Sequence, residues 1–186
     1  MTERLEIRPL IPTDHKAWLA GHARRLSQQT KYDPGPVDLS KCTADWFAFL
    51  CQRHQALAQE DKVYVFGLFN GQGQHLGHID LATIRREDNQ WANIGYVLHN
   101  QFWRRGYASE AVRAALSAGF TELGYHRIEA AINLDNTASI TLARRVGMQD
   151  EGIRRGFFYE NDDWVDHRIF AAIPSDLDLA AQPPSR

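Results

Sequence analysis

The chain has 186 residues, 44% of them hydrophobic, and a formal net charge of −2. That is enough apolar material for one well-buried core, so a single domain is expected over residues 1–174, with a polar tail at 175–186. No basic run exceeds two residues, which argues against a nucleic-acid partner held through its phosphates. With no apolar signal region and no run of about 18 apolar residues, no membrane partner is expected and the cytoplasm is the expected location.

Leu5-Glu-Ile-Arg-Pro-Leu10 alternates and predicts an opening strand, with Pro9 near an edge. Thr13 or Asp14 can cap a helix running to about Leu26 and anchored by Trp18. Residues 30–44, with Pro34-Gly-Pro36 between Asp33 and Asp38, predict an irregular connection. Asp45 is expected to start a second helix, with Trp46, Phe49, Leu50 and Leu57 at helical spacing. Val63 to Phe69 is apolar on both alternating sets, the pattern of a strand covered on both sides. Asn70-Gly71-Gln-Gly73 signals a hairpin turn before a strand from Leu76 to Arg85. Cys42 and Cys51 match no metal or redox spacing and read as reduced thiols. His75 and His78 point to opposite faces of a strand and no helical His-x-x-x-His pair occurs, so no metal is expected.

The polar turn Glu87-Asp-Asn-Gln90 leads through Trp91 into Ile94-Gly-Tyr-Val-Leu98, an apolar run that reads as a strand. A loop with Arg104, Arg105 and Gly106 follows. Beyond it, Ala108, Ala111, Val112, Ala115, Leu116, Gly119, Phe120 and Leu123 fall at the spacing of one buried helical face. The first turn of a helix leaves amides without intrahelical partners and carries partial positive charge, and a glycine admits close backbone approach. Strand, glycine loop and helix start therefore suit a phosphate. The loop is neither a Walker A loop nor a three-glycine dinucleotide fingerprint, and a tight turn with two solvated arginines is the plain alternative. Arg127 to Leu134 reads as a strand, and Asn136-Thr-Ala-Ser139 opens a short helix ending at Val146-Gly147-Met148. Two long strands, about Asp150–Tyr159 and Trp164–Ile173, are joined by the turn Glu160-Asn-Asp-Asp163. After Pro174 the chain is polar, with Pro183-Pro184, and is expected to fray. This order of elements builds a mixed α/β sheet with helices on both faces.

Four segments together resemble the GCN5-related N-acetyltransferase (GNAT) superfamily, in the branch acting on N-terminal amines of ribosomal proteins. They are Ile94-Gly95-Tyr96, Trp103-Arg-Arg-Gly106-Tyr107-Ala108 with Glu110-Ala111, Asn133 to Ser139, and Arg145-Val-Gly147-Met148. The resemblance covers roughly the C-terminal half. It implies the acyl-CoA N-acyltransferase fold, with a mixed, mostly antiparallel central sheet. It also implies acetyl-CoA as cosubstrate, an amine acceptor (a peptide N-terminus or a small molecule), and a possible homodimer. In such proteins the strand matching Ile94–Leu98 splays from the one matching Arg127–Leu134 and the acyl arm enters the gap. The early helices and the loop at 30–44 then shape the acceptor entrance, although a simple connector is an equal description of that loop.

Acetyl transfer from a thioester to an amine needs an oxyanion donor, a route for the amine proton and a donor to the thiolate. One oxyanion donor contributes roughly 3–4 kcal/mol and a positioned acid or base about 10²–10⁴-fold. The resemblance places the oxyanion on a backbone amide near Tyr96, Val97 and Leu98, and the diphosphate on the amides of Arg104, Arg105, Gly106, Tyr107 and Ala108. Asn136 would touch the cofactor arm and Ser139 would lie near its sulfur, although capping alone also explains Asn136. Many relatives carry a tyrosine acid where this chain has Ala143, which leaves Ser139 as the donor to the thiolate. A carboxylate often precedes the Ile-Gly-Tyr run, but here Asn93 stands there. Asp80 or His78, read as facing opposite ways, Glu129, or a water relay remain as the base. Tyr159 could contact the acceptor, although the run Phe157-Phe158-Tyr159 reads more readily as core. Arg144 and Arg145 could reach a ribose phosphate, and Asp33, Asp38, Asp162, Asp163 and Asp166 could attract a cationic amine. A catalytically weak acyl-CoA sensor is the reading outside enzymes.

Overall fold

A computed structural model describes residues 2–181. Its elements are β1 (Leu5–Arg8), α1 (His15–Ala23), α2 (Ala44–Gln59), β2 (Val63–Asn70), β3 (His75–Arg85), β4 (Trp91–Leu98), α3 (Tyr107–Thr121), β5 (Arg127–Asn133), α4 (Thr137–Arg145), β6 (Gln149–Glu160) and β7 (Asp163–Ala172). The strands form one seven-stranded mixed sheet in the order β1-β2-β3-β4-β5-β7-β6. The β1/β2, β2/β3, β5/β7 and β6/β7 ladders are antiparallel, and β4 pairs in parallel with β5 over Trp91–Asn93 opposite Arg127–Glu129. Among the described residues no helix is long and apolar enough to cross a membrane.

The chain divides into two compact units. The first runs to Ala82 and includes Gly95–Val112. Its core gathers Leu10, Phe47, Cys51 and Phe69, with Trp18 and Leu50 packed alongside. Phe47 is fully buried, so truncating it to alanine should cost about 3–5 kcal/mol. Trp18 anchors α1 as its spacing suggests, but α1 stops at Ala23 rather than near Leu26. The reason is Asn100, which accepts the Leu26 amide and donates to the Leu26 and Ser27 carbonyls, drawing that backbone out of the helix. Asp14 caps no amide of α1; its carboxylate takes the Ile11 amide and the Arg8 guanidinium instead. The cap of α2 is Thr43, which accepts from the Trp46 amide, so Asp45 is already inside the helix. The buried stripe of α2 is Phe47 and Cys51, whereas Phe49 is 63% exposed. The first half of β2 is only half-buried, and full burial begins at Gly67.

The second unit comprises Thr83–Ile94 and the chain from Arg113 onward. Its part of α3 buries Ala115, Leu116, Gly119 and Phe120, and Ala111 and Val112 are buried in the first unit's part, as the apolar spacing requires. The β6/β7 hairpin closes through Asn161 and Asp162, both at positive φ (50° and 64°), the backbone that a two-residue type I′ turn needs. Beyond Pro174, where fraying is expected, Pro174–Leu177 forms a 3-10 turn in which Asp176 accepts the Ile173 amide. Pro183 and Pro184 lie outside the described residues.

Candidate functional site

In the first unit, β4 runs into a short 3-10 turn at Asn100–Phe102, and then into residues 103–106 at the head of α3. The end of β4 is held firmly. The His99 amide donates to the Leu76 carbonyl (2.7 Å) and the Trp103 indole donates to the Leu98 carbonyl (2.8 Å). Gly77 permits this approach, because a Cβ there would sit 2.0 Å from the Val97 carbonyl oxygen. Arg104 and Gly106 both adopt left-handed backbone (φ 61° and 82°). Among the described residues, no acceptor takes the amides of Arg104, Arg105, Gly106, Tyr107 or Ala108. Left-handed residues alternating with ordinary ones turn successive amides toward a common point, which makes an anion-binding concavity. Val97 is partly exposed on β4, Arg104 and Arg105 are exposed, and Tyr107 and Ala108 are half-buried.

His78 and Asp80 do not face opposite ways. They lie opposite Gly67 and Val65 on β2, with buried Ile79 between them, so a period of two puts both on one face of β3. Burial raises the Asp80 carboxyl above the ordinary carboxylate range and lowers His78 below the usual imidazole value. Gly95 makes room for that carboxylate, since a Cβ there would stand 2.7 Å from Asp80 Oδ1.

Deeper in this unit, His22, His75 and His99 bring ring nitrogens within 4.8 Å of one another, a grouping that the strand-parity argument overlooked. The donor set does not suit a cation. Arg25 can only donate to His99 Nδ1 (3.0 Å), so neutral His99 carries its proton on Nε2 and gives it to His75 Nδ1 (3.0 Å). Burial, reinforced by the neighbouring rings, holds His75 down to about 3 and His99 to about 2. A metal would have to displace the shared proton beside a guanidinium. The cluster is a neutral hydrogen-bonded core. Arg25 also donates to Asp33 Oδ1 (2.5 Å), and Asp33 takes the Gly35 and Gln29 amides and Asn100 Nδ2. Burial alone would raise the Asp33 carboxyl, but these four donors hold it below its ordinary value. Asp33 is 1% exposed and therefore unavailable to a cationic amine.

In the second unit, Asn136 caps α4 by accepting the Ser139 amide (3.2 Å), and Ser139 is half-buried one turn into the helix. Ala143 is on the packed side of α4, 1% exposed. Glu129 is buried and gripped by Arg127 and Arg154, so its oxygens are occupied by guanidinium donors rather than turned to an acceptor amine. Tyr159 and Phe158 are exposed (60% and 45%) rather than core, with Tyr159 edge-on to Trp164. Arg144 is paired with Asp150, and Asp166 accepts the Gly156 amide. One arrangement here was not evident in the sequence. Glu160 accepts from Asn133 Nδ2 (2.8 Å) and stands 3.2 Å from Nε2 of buried His167, whose Nδ1 lies 3.1 Å from the Val165 carbonyl. Only pairing across β5, β6 and β7 assembles it.

Comparison with known proteins adds four likenesses. Residues 4–149 match the acetyltransferase (GNAT) domain. The Probable N-acetyltransferase YjcK of Bacillus subtilis is 35% identical over 124 residues, covering 66% of this chain and 68% of that protein. The [ribosomal protein uS5]-alanine N-acetyltransferase of Escherichia coli is 26% identical over 178 residues, covering 94% and 90%. Among solved structures, Mycobacterium smegmatis RimJ in complex with CoA-disulfide superposes with a TM-score of 0.75 at 23% identity, covering 95% of this chain and 85% of that one.

Proposed function

Since this chain belongs to the GNAT acetyltransferase family, we propose that it moves the acetyl group of acetyl-CoA directly onto a primary amine in a ternary complex, the acceptor being the N-terminal α-amine of a protein. The observation that carries this reading is the set of unengaged amides from Arg104 to Ala108, turned by the left-handed residues Arg104 and Gly106 at the head of α3. These amides would hold the diphosphate. The relative acting on ribosomal protein uS5, alike over 94% of this chain, supports a protein terminus as the acceptor. This reading puts the enzyme in the cytoplasm.

The residues divide the chemistry. The Val97 carbonyl lies against β3, and backbone groups alternate along a strand, so the amides of Tyr96 and Leu98 point to the other edge. One of these two amides stabilises the oxyanion that forms as the amine attacks the thioester carbon. Asp80 takes the amine proton. Its raised pKa makes it a stronger base than an ordinary carboxylate, and His78 shares its face. Glu160, half-exposed and oriented by Asn133 and His167, is the second carboxylate that could fill this role. Ser139 donates a hydrogen bond to the departing thiolate as the C–S bond breaks. A serine hydroxyl is too weak an acid to do more.

Free thiol release across an acceptor panel tests the reading. Peptides beginning with alanine or serine should give a higher kcat/KM than spermidine, free amino acids or an aminoglycoside, and a blocked N-terminus should abolish the signal. A small amine outperforming every peptide would overturn the acceptor class. Asp80→Asn should lower kcat about 100-fold and remove the acid limb of the pH profile, a limb that begins above the ordinary carboxylate range. Should Glu160→Gln remove that limb instead, the base is Glu160. A Ser139→Ala variant losing less than about threefold in kcat would relieve Ser139 of its role.

A further inference from the structure

The family signature contains Glu110, on the first turn of α3, and neither phosphate binding nor the chemistry accounts for it. Its carboxylate is not directed at a ligand. Oε2 accepts from Arg4 Nε (2.7 Å) and Nη2 (2.6 Å), while Oε1 accepts from the Arg4 amide (2.9 Å) and the Thr2 hydroxyl (2.5 Å). Burial would raise this carboxyl, but the donors from Thr2 and Arg4 hold it below its ordinary value. The remaining arm of Arg4 reaches the loop itself: Nη1 donates to the Arg105 carbonyl (3.0 Å) and the guanidinium lies 5.0 Å over the Tyr107 ring. A Cβ on Gly106 would come within 3.2 Å of Arg4 Nη2. One side chain thus spans the loop from the helix turn behind it to the carbonyl within it.

We infer that Arg4, locked by Glu110 and Thr2, is a positioning residue for the diphosphate-binding loop, fixing the Arg105 carbonyl so that the amides of Arg104 to Ala108 stay turned toward the ligand. The inference rests on the proposed use of that loop. Arg4 acts by geometry rather than by charge, because its Nε and Nη2 face Glu110 and its own charge is already balanced. The fork shape is therefore essential. A lysine could meet the carboxylate or the carbonyl but not both. The unengaged amides need such a brace, since a loop that makes few hydrogen bonds of its own has little else to keep its left-handed residues in place.

The test compares two acetyl donors on the full chain: acetyl-CoA, and S-acetylpantetheine, which carries the same thioester and arm without the diphosphate. The wild-type protein should prefer acetyl-CoA by at least tenfold in kcat/KM. Arg4→Ala should lose about tenfold with acetyl-CoA and less than twofold with S-acetylpantetheine. Arg4→Lys, which keeps the charge but not the fork, should lose nearly as much, and Glu110→Gln should lose less. Melting temperatures show whether each variant is folded, and Arg4→Lys serves if Arg4→Ala is not. Equal losses with both donors, full rescue by lysine, or a change below twofold would each overturn the inference. A wild-type protein with no preference between donors would instead refute the phosphate role of the loop, a result distinguishable from failure of Arg4 alone.

Discussion

Two segments of the first unit, residues 24–36 and residues 103–110, treat their backbones in opposite ways. In the first, side chains consume the amides: Asn100 accepts from Leu26, and Asp33 accepts from Gln29 and Gly35, with Arg25 closing the set. In the second, the amides from Arg104 to Ala108 are left unengaged, and the ties run through the Arg105 carbonyl and the Glu110 carboxylate. A loop whose amides are satisfied from within is a frame. A loop braced from outside with its amides unengaged is a binding surface. The difference lies in where the polar side chains point, because both segments carry arginine and glycine.

If the first segment is a frame, damage to it should appear in stability. Asp33→Ala strands the buried Arg25 guanidinium and should cost about 3–5 kcal/mol, read as the shift in urea midpoint. Acid should act on the same region. The ordinary imidazole value is 6.5, whereas folded His75 and His99 lie near 3 and 2. Between those values the unfolded chain binds more protons, so stability is complete above pH 6.5 and declines as the pH falls, by about 1.4 kcal/mol per pH unit for each ring. An unfolding midpoint unchanged between pH 7 and 5 would contradict the neutral histidine core. If the second segment is a binding surface, damage should appear in affinity. Gly106→Val forces a branched side chain into left-handed backbone and should weaken coenzyme A about tenfold by calorimetry. The smallest effect lies in the second unit, where Asn136→Ala removes the α4 cap and should cost about 1 kcal/mol in thermal unfolding. A loss of coenzyme A affinity in that variant beyond its loss of stability would show that Asn136 also touches the cofactor.

Much of this was legible locally. The buried face of α3, the type of every strand and the Asn161-Asp162 turn follow from spacing and turn chemistry, which report on neighbours a few residues apart. The departures have different causes. Helical spacing puts the start of α2 at Asp45, yet Thr43 stands two residues earlier with an oxygen in reach of the Trp46 amide. The expectation of opposite faces for His78 and Asp80 fails because two residues along a strand return to the same one. Glu129 is a candidate base in the sequence, whereas in the fold Arg127 and Arg154 close on it.

The sequence by itself determined the order of elements, the glycine loop before α3 and membership of an acetyltransferase family, because each is carried by residues close together along the chain. Only the tertiary structure decided what those elements hold in place. Arg4 meets Glu110 across 106 residues and Arg25 meets His99 across 74. No local spacing encodes such encounters, since the side chains that make them are brought together by packing between distant elements.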